Sequence, residues 1–237
     1  MIKFFRKIRQ NLLSEGKTGK YFKYAIGEIV LLVIGILVAL QINNWNTRRI
    51  ENQEERQIYL QIKNKIEDDK IEFERTNDIN NYLSQQSEKA NTLISNKNYG
   101  AIDTLAYLTI QLSQYSDFQR NGKLHENLIN SGDIKLLQNQ DIISQLQNLE
   151  LTYNSVNKLE DIHWEIIIKE LSPELKGVIN YSSLEVIKPD KLYAVEMQNL
   201  FFESIYLTKG KDSIYRKAIK EINDIIALID TETELKK

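Results

Sequence analysis

The sequence predicts a mainly α protein: one N-terminal transmembrane helix continuing into a stalk and an outer helical bundle. Three observations point there. The stretch Tyr24–Ile42 is apolar over a length that spans a bilayer. The chain has 2 Pro and 9 Gly among 237 residues, which leaves room for long helices and little for a turn-rich β fold. Beyond the apolar stretch, apolar residues recur at three- and four-residue spacing.

The span comes first. Nineteen residues at about 1.5 Å each give roughly 28 Å of helix, close to the roughly 30 Å hydrocarbon core of a membrane. Glu28 and the terminal Gln41 are its strongly polar side chains. Tyr21, Phe22 and Tyr24 precede it and Trp45 follows it, where amphipathic rings favour the headgroup layer. No small-residue cleavage site follows the apolar run, so it reads as an uncleaved anchor. Lys3, Arg6, Lys7, Arg9, Lys17, Lys20 and Lys23 lie before it, against Arg48, Arg49 and Arg56 soon after. This asymmetry places the N-terminus in the cytoplasm and the remainder outside. Phe5, Ile8 and Leu12 among those cations suit either a short interfacial helix or a plain basic flank. Ser14 to Gly19 reads as the turn into the span.

The organisation that follows is a basic cytoplasmic segment 1–23, a transmembrane helix 24–42, a helical stalk 43–57 and a bundle 58–237. Formal charge is −2 overall while the first 23 residues are strongly basic, so the outer part is acidic. An acidic outer part argues against nucleic acid as a partner. With 0 Cys, disulfides and thiol catalysis are excluded.

In the outer part, Ile58, Ile62, Ile66, Phe73, Leu83, Ala90 and Ile94 predict a long helix to Ser95, with Asp69 and Asn80 interrupting its stripe. A second helix is expected from Ile102 to about Phe118, and a short one over Leu124–Asn130. Asp141 is the expected N-cap of a helix running from Ile142 to about Leu171. Residues 177–189 read as a loop with extended pieces. A helix from Asp190 to about Leu207, a turn at Lys209-Gly210-Lys211 and a last helix from Asp212 to Asp230 complete the chain. In that last helix Tyr215, Ile219, Ile222, Ile226 and Ile229 form a heptad seam.

Motifs for chemistry are sparse. Glu160 and His163 form a Glu-x-x-His pair, but the second pair that a di-iron bundle needs is missing, because Gly122 stands three residues before His125. His163 is therefore expected at the surface or beside a cap. His125-Glu126 begins like a zinc-protease motif, yet position 129 is Ile. Glu67-Asp68-Asp69 reads as a solvated helix face, and Asn180-Tyr181-Ser182 fits a glycosylation acceptor. No nucleotide loop or nucleophile elbow is present. The sequence thus assigns no catalytic, cofactor or metal site, and it reads as a non-enzyme.

The residues singled out for interaction lie in the span. Gly27, Leu31, Gly35, Ala39 and Asn43 share one face, and Gly35-x-x-x-Ala39 allows close helix approach. Glu28 borders this face. It is about 6 Å along the axis from Tyr24, within reach of the inner headgroups; pairing with another membrane helix and ion coupling are the alternatives. The expected partners are the lipid bilayer and a protein partner or second copy bound through the span at Gly27, Glu28, Gly35 and Ala39. The expected role is an interaction or scaffold protein; the alternative is a ligand-sensing module that signals through a membrane partner.

The run Tyr24-Ala25-Ile26-Gly27-Glu28-Ile29, continuing as Ile34 to Asn46 (IGILVALQINNWN), resembles the signature of an uncharacterised bacterial family of single-span membrane proteins with a domain of unknown function. The opening MIKFFRKIRQNLLSEGKTGKY and the stretch Leu128–Asn139 are similar too. The resemblance covers most of the chain. It implies the inner membrane of Gram-negative bacteria with the outer part in the periplasm, and it supplies no activity.

Overall fold

The computed structural model describes residues 18–120 and 122–235. The expectations for Phe5, Ile8, Leu12 and turn residues 14–17 lie outside the described residues, as do Asn121 and the side chains of Tyr21 and Tyr24; Thr18 and Gly19, expected in that turn, already belong to a helix.

Helix α1 runs from Thr18 to Ser95, α2 from Ile102 to Gln111 and α3 from Leu124 to Ser131. Helix α4 spans Gln140–Ile166 and passes into a π-helical segment, Ile167–Leu171. Short α5 (Ser172–Leu175) and α6 (Pro189–Leu192) precede the long α7, Val195–Leu235. Among the described residues the β content is an isolated antiparallel bridge between Ile179 and Val186, within the loop expected there. The mainly α reading holds.

The chain divides into two compact units, one ending at Glu54 and one starting at Glu55. In the first unit, residues 31–54 of α1 are exposed throughout. None of the most apolar 18-residue window is buried within the chain. Leu32 and Leu37 are about three-fifths exposed, at 62 % and 59 %.

The second unit is built on three long helices with one shared period. In α1, Ile62, Asp69, Thr76, Leu83 and Ala90, together with Tyr59, Ile66, Phe73, Asn80, Ser87 and Ile94, repeat every seven residues and are buried. In α4 the series are Ile142, Leu149, Val156, His163 and Leu146, Tyr153, Glu160. In α7 they are Phe201, Thr208, Tyr215, Ile222, Ile229 and Ser204, Lys211, Ala218, Ile225. A seven-residue repeat keeps each seam facing its partners when helices pack at a shallow left-handed crossing. The register is fixed by polar contacts. Lys63 meets Asp230 at 2.6 Å, and the Ser87 and Ser204 hydroxyls lie 3.3 Å apart, so α1 and α7 are antiparallel. Gln138 N–H donates to Glu55 and Tyr153 O–H to Asp69, so α4 runs parallel to α1.

Two apolar cores result. One gathers Ile62, Ile66, Phe73, Ile142, Leu146 and Ile222. Phe73 stacks on Phe118 with centroids 3.7 Å apart, and Tyr153 and Tyr215 flank it at 5.4 and 5.8 Å. The other gathers Ile94, Leu105, Leu108, Leu171, Leu192 and Phe201. Each fully buried Leu, Ile or Phe contributes about 1.5–3 kcal/mol relative to exposure.

The structure corrects several local expectations. The N-cap of α4 is Asn139, not Asp141: its side-chain oxygen accepts the N–H groups of Asp141 and Ile142 at 2.9 and 3.1 Å. Asp141 sits instead in the first turn, where a carboxylate favours the helix dipole. Helix α2 stops at Gln111, short of Phe118, because residues 112–118 fold in to bury Leu112, Ser116 and Phe118. The turn at Lys209-Gly210-Lys211 does not form; α7 continues through it. A glycine inside a helix costs about 1 kcal/mol, less than the burial of Thr208 and Tyr215 on either side returns. The expected helix from Asp190 to about Leu207 is interrupted at Tyr193-Ala194: its first turn is α6, and the rest is the start of α7. In the last seam Ala218 and Ile225, not Ile219 and Ile226, are the fully buried positions.

Candidate functional site

Between the two apolar cores the three seams turn polar together. Thr76, Asn80 and Ser87 come from α1, Glu160 and His163 from α4, Ser204, Thr208 and Lys211 from α7, and Ser116 from the loop after α2; all are buried. Buried polar groups are tolerated when hydrogen-bonded, and this layer is joined across helices. Asn80 donates its amide to the Thr208 carbonyl at 2.8 Å. Ser116 Oγ donates to Asn80 Oδ1 at 3.1 Å and lies 3.3 Å from the Tyr215 hydroxyl.

The centre of the layer is Glu160. Its Oε1 accepts the Phe118 backbone N–H at 2.9 Å and the Tyr215 O–H. Burial pushes the carboxyl up to about 7, the two hydrogen bonds opposing that rise. Lys211 Nζ donates to the Ser116 carbonyl at 3.0 Å and lies 5.6 Å from the Tyr115 ring centre. Burial lowers Lys211 to about 8, with Glu160 pulling it back. His163 is only 2 % exposed, set edge-on to Tyr115 at 5.9 Å. Burial, then the nearby Lys211 charge, bring it down to about 3, so it is neutral. Its Nδ1 is buried with no hydrogen-bond partner.

These positions overturn the surface reading of His163. The reason is register: His163 falls on the same seven-residue series as Ile142, Leu149 and Val156. Asn80 and Asp69 do not interrupt the α1 stripe but belong to it. Asp69 is 2 % exposed and accepts the Tyr153 O–H at 3.0 Å, so Glu67-Asp68-Asp69 is not a wholly solvated face. Arg120 lies 4.4 Å over the Tyr153 ring and forks onto Glu150 at 2.8 and 2.6 Å. The Glu160–His163 spacing does put both on the inner face, one turn apart. Among the described residues no group of three or more His, Asp or Glu side chains is placed to hold a metal. What the layer can do chemically is exchange protons and fix register.

The interaction residues of the span lie along the part of α1 that belongs to the first unit. Gly27, Gly35 and Ala39 are exposed and Glu28 is half-buried. A Cβ placed on Gly27 or Gly35 would meet nothing within 4 Å.

Sequence reasoning missed Lys211, Tyr215 and Ser116 as members of one site. The available signal was the shared seven-residue period of α1, α4 and α7, on which the polar exceptions fall at matching heights.

No curated protein and no solved structure matches the chain. A family model described as a family of unknown function, DUF6090, matches residues 28–185, from within the apolar run through α4 to the loop before α6. The match takes in Glu160 and His163 but stops short of α7, which supplies Lys211 and Tyr215. The chain therefore belongs to this family of unknown function.

Proposed function

We propose that the chain is a bilayer-anchored interaction or scaffold protein. A single helix holds it in the inner membrane of a Gram-negative bacterium. Its N-terminus is cytoplasmic, its bundle periplasmic, and a partner or second copy packs on the face of Gly27, Glu28, Gly35 and Ala39. One observation carries the reading: no residue of the most apolar stretch is buried among the described residues. Exposed Leu, Ile and Val at that density require an apolar environment that the described residues do not supply, and lipid is the one matched to a run of this length. The glycines on that face leave room for a second backbone to approach.

Crosslinking of the full-length protein in native membranes, compared with Gly35→Leu and Glu28→Gln, tests it. A discrete crosslinked species that is lost in Gly35→Leu supports the packing face. A monomer under all conditions overturns it. The ligand-sensing alternative is favoured by a separate feature, a cavity in the bundle, and a thermal-shift screen of metabolites on the full chain addresses that reading.

A further inference from the structure

The π-helical segment Ile167–Leu171 has a local cause and a consequence. Pro173 has no N–H to give, and in a regular helix its ring would crowd the carbonyl of Lys169 one turn earlier. The helix widens just ahead of it: the Ser172 N–H bonds the carbonyl of Ile167 rather than that of Ile168. The next N–H that the wider pattern would offer Ile168 belongs to Pro173 and does not exist. Segments of this kind are frequent at functional sites.

Ile168 lines a partly open cavity of about 290 Å³, walled by Ile110, Ser113, Trp164, Leu171 and Tyr181 among others. None of its lining residues is charged. Trp164 and Tyr181 are 47 % and 54 % exposed, so two aromatic rings at the cavity are uncovered by the chain. Ser113 Oγ spends its proton on the Ile110 carbonyl at 2.6 Å, which leaves its lone pairs free to accept.

We propose that this cavity binds a neutral, flat, two-ring compound carrying one hydroxyl or N–H donor. Each attribute follows from the walls. A charged ligand would lose its hydration without a countercharge. An apolar cavity of roughly 150 Å³ holds one benzene ring, and this one is about twice that size. Aromatic walls favour a ring that stacks or meets them edge-on. The acceptor at Ser113 asks for a donor rather than another acceptor.

The probe is 2-naphthol, measured by equilibrium dialysis against full-length protein in nanodiscs, with empty nanodiscs as reference. The expected result is a saturable excess of one per chain, with a dissociation constant on the order of 10–100 µM. Ile168→Trp fills the cavity from a half-exposed position and abolishes the excess while circular dichroism is unchanged. Should that variant unfold, Ser113→Trp fills the same space from an exposed position. The methyl ether 2-methoxynaphthalene, which lacks the donor, binds about tenfold more weakly. Uptake equal to that of empty nanodiscs, or an excess that survives both fillings, overturns the site. Equal affinity for the ether overturns the donor requirement.

Discussion

Two stretches of one helix obey opposite rules. In residues 25–42 of α1, large apolar side chains such as Leu32, Leu37 and Ile42 are exposed. In residues 55–94 of the same helix, Glu55, Asp69 and Asn80 are buried. Hydropathy alone would reverse the two. Burial here follows the available partner: Asp69 has the Tyr153 hydroxyl, Glu55 has Tyr59 and the Gln138 N–H, and Asn80 has Thr208 and Ser116. The most apolar 18-residue window has no residue buried among the described residues, and an environment outside the chain is the partner inferred for its apolar side chains. Exposed apolar and buried polar residues are the informative exceptions to the inside–outside rule, and this helix carries both.

The largest expected effect breaks the first half of the comparison. Leu32→Asp combined with Leu37→Asp places two carboxylates mid-run, at a cost of about 6 kcal/mol for membrane insertion. Membrane fractionation should find the double variant released or degraded. The melting temperature of its bundle, followed by circular dichroism, should be unchanged. Retention in the membrane fraction would remove the anchor from the proposed function.

The next effect is on the buried half. Phe73→Ala empties a fully buried site between Phe118, Tyr153 and Tyr215 and should lose about 3–5 kcal/mol. Leu32→Ala, which removes a similar apolar group from the exposed run, should leave bundle unfolding within about 0.5 kcal/mol of the unaltered chain. Thermal unfolding of both variants in nanodiscs decides whether the two stretches are energetically separate.

Element type was legible from the sequence, and of the element boundaries only the locally determined ones were. The end of α1 at Ser95 and the start of α3 at Leu124 follow from local residues, since a turn or loop adjoins each. The end of α2 and the passage of α7 through Gly210 were decided at a distance. Phe118 leaves the helix to give its N–H to Glu160, and Lys211 stays in one to reach the Ser116 carbonyl. A single helix read by itself cannot show those partners. The polar layer was hidden for the same reason. Asn80, His163 and Lys211 each look like an exception on its own helix, and only the common period of three helices makes them neighbours.

The smallest expected effect tests whether that layer is one electrostatic unit, and the sign is its content. Glu160 rises from 4.5 to about 7 on folding, so its favourable contribution is present below pH 4.5 and lost as pH rises to 7. His163 falls from 6.5 to about 3, so its contribution is present above pH 6.5 and lost as pH falls towards 3. Between pH 4.5 and 6.5 the two slopes oppose, each about 1.4 kcal/mol per pH unit, and the unaltered chain should be nearly flat. Glu160→Gln should then make stability rise with pH in this window, and His163→Gln should make it fall. Melting temperatures at pH 4.5, 5.5 and 6.5 read both slopes. Opposite signs mean that α4 carries two titrating groups whose burial costs offset one another across the layer. Equal signs would mean that water reaches Glu160 or His163 in the folded bundle. The seam at that height would then open to solvent, unlike the Phe73 core beside it.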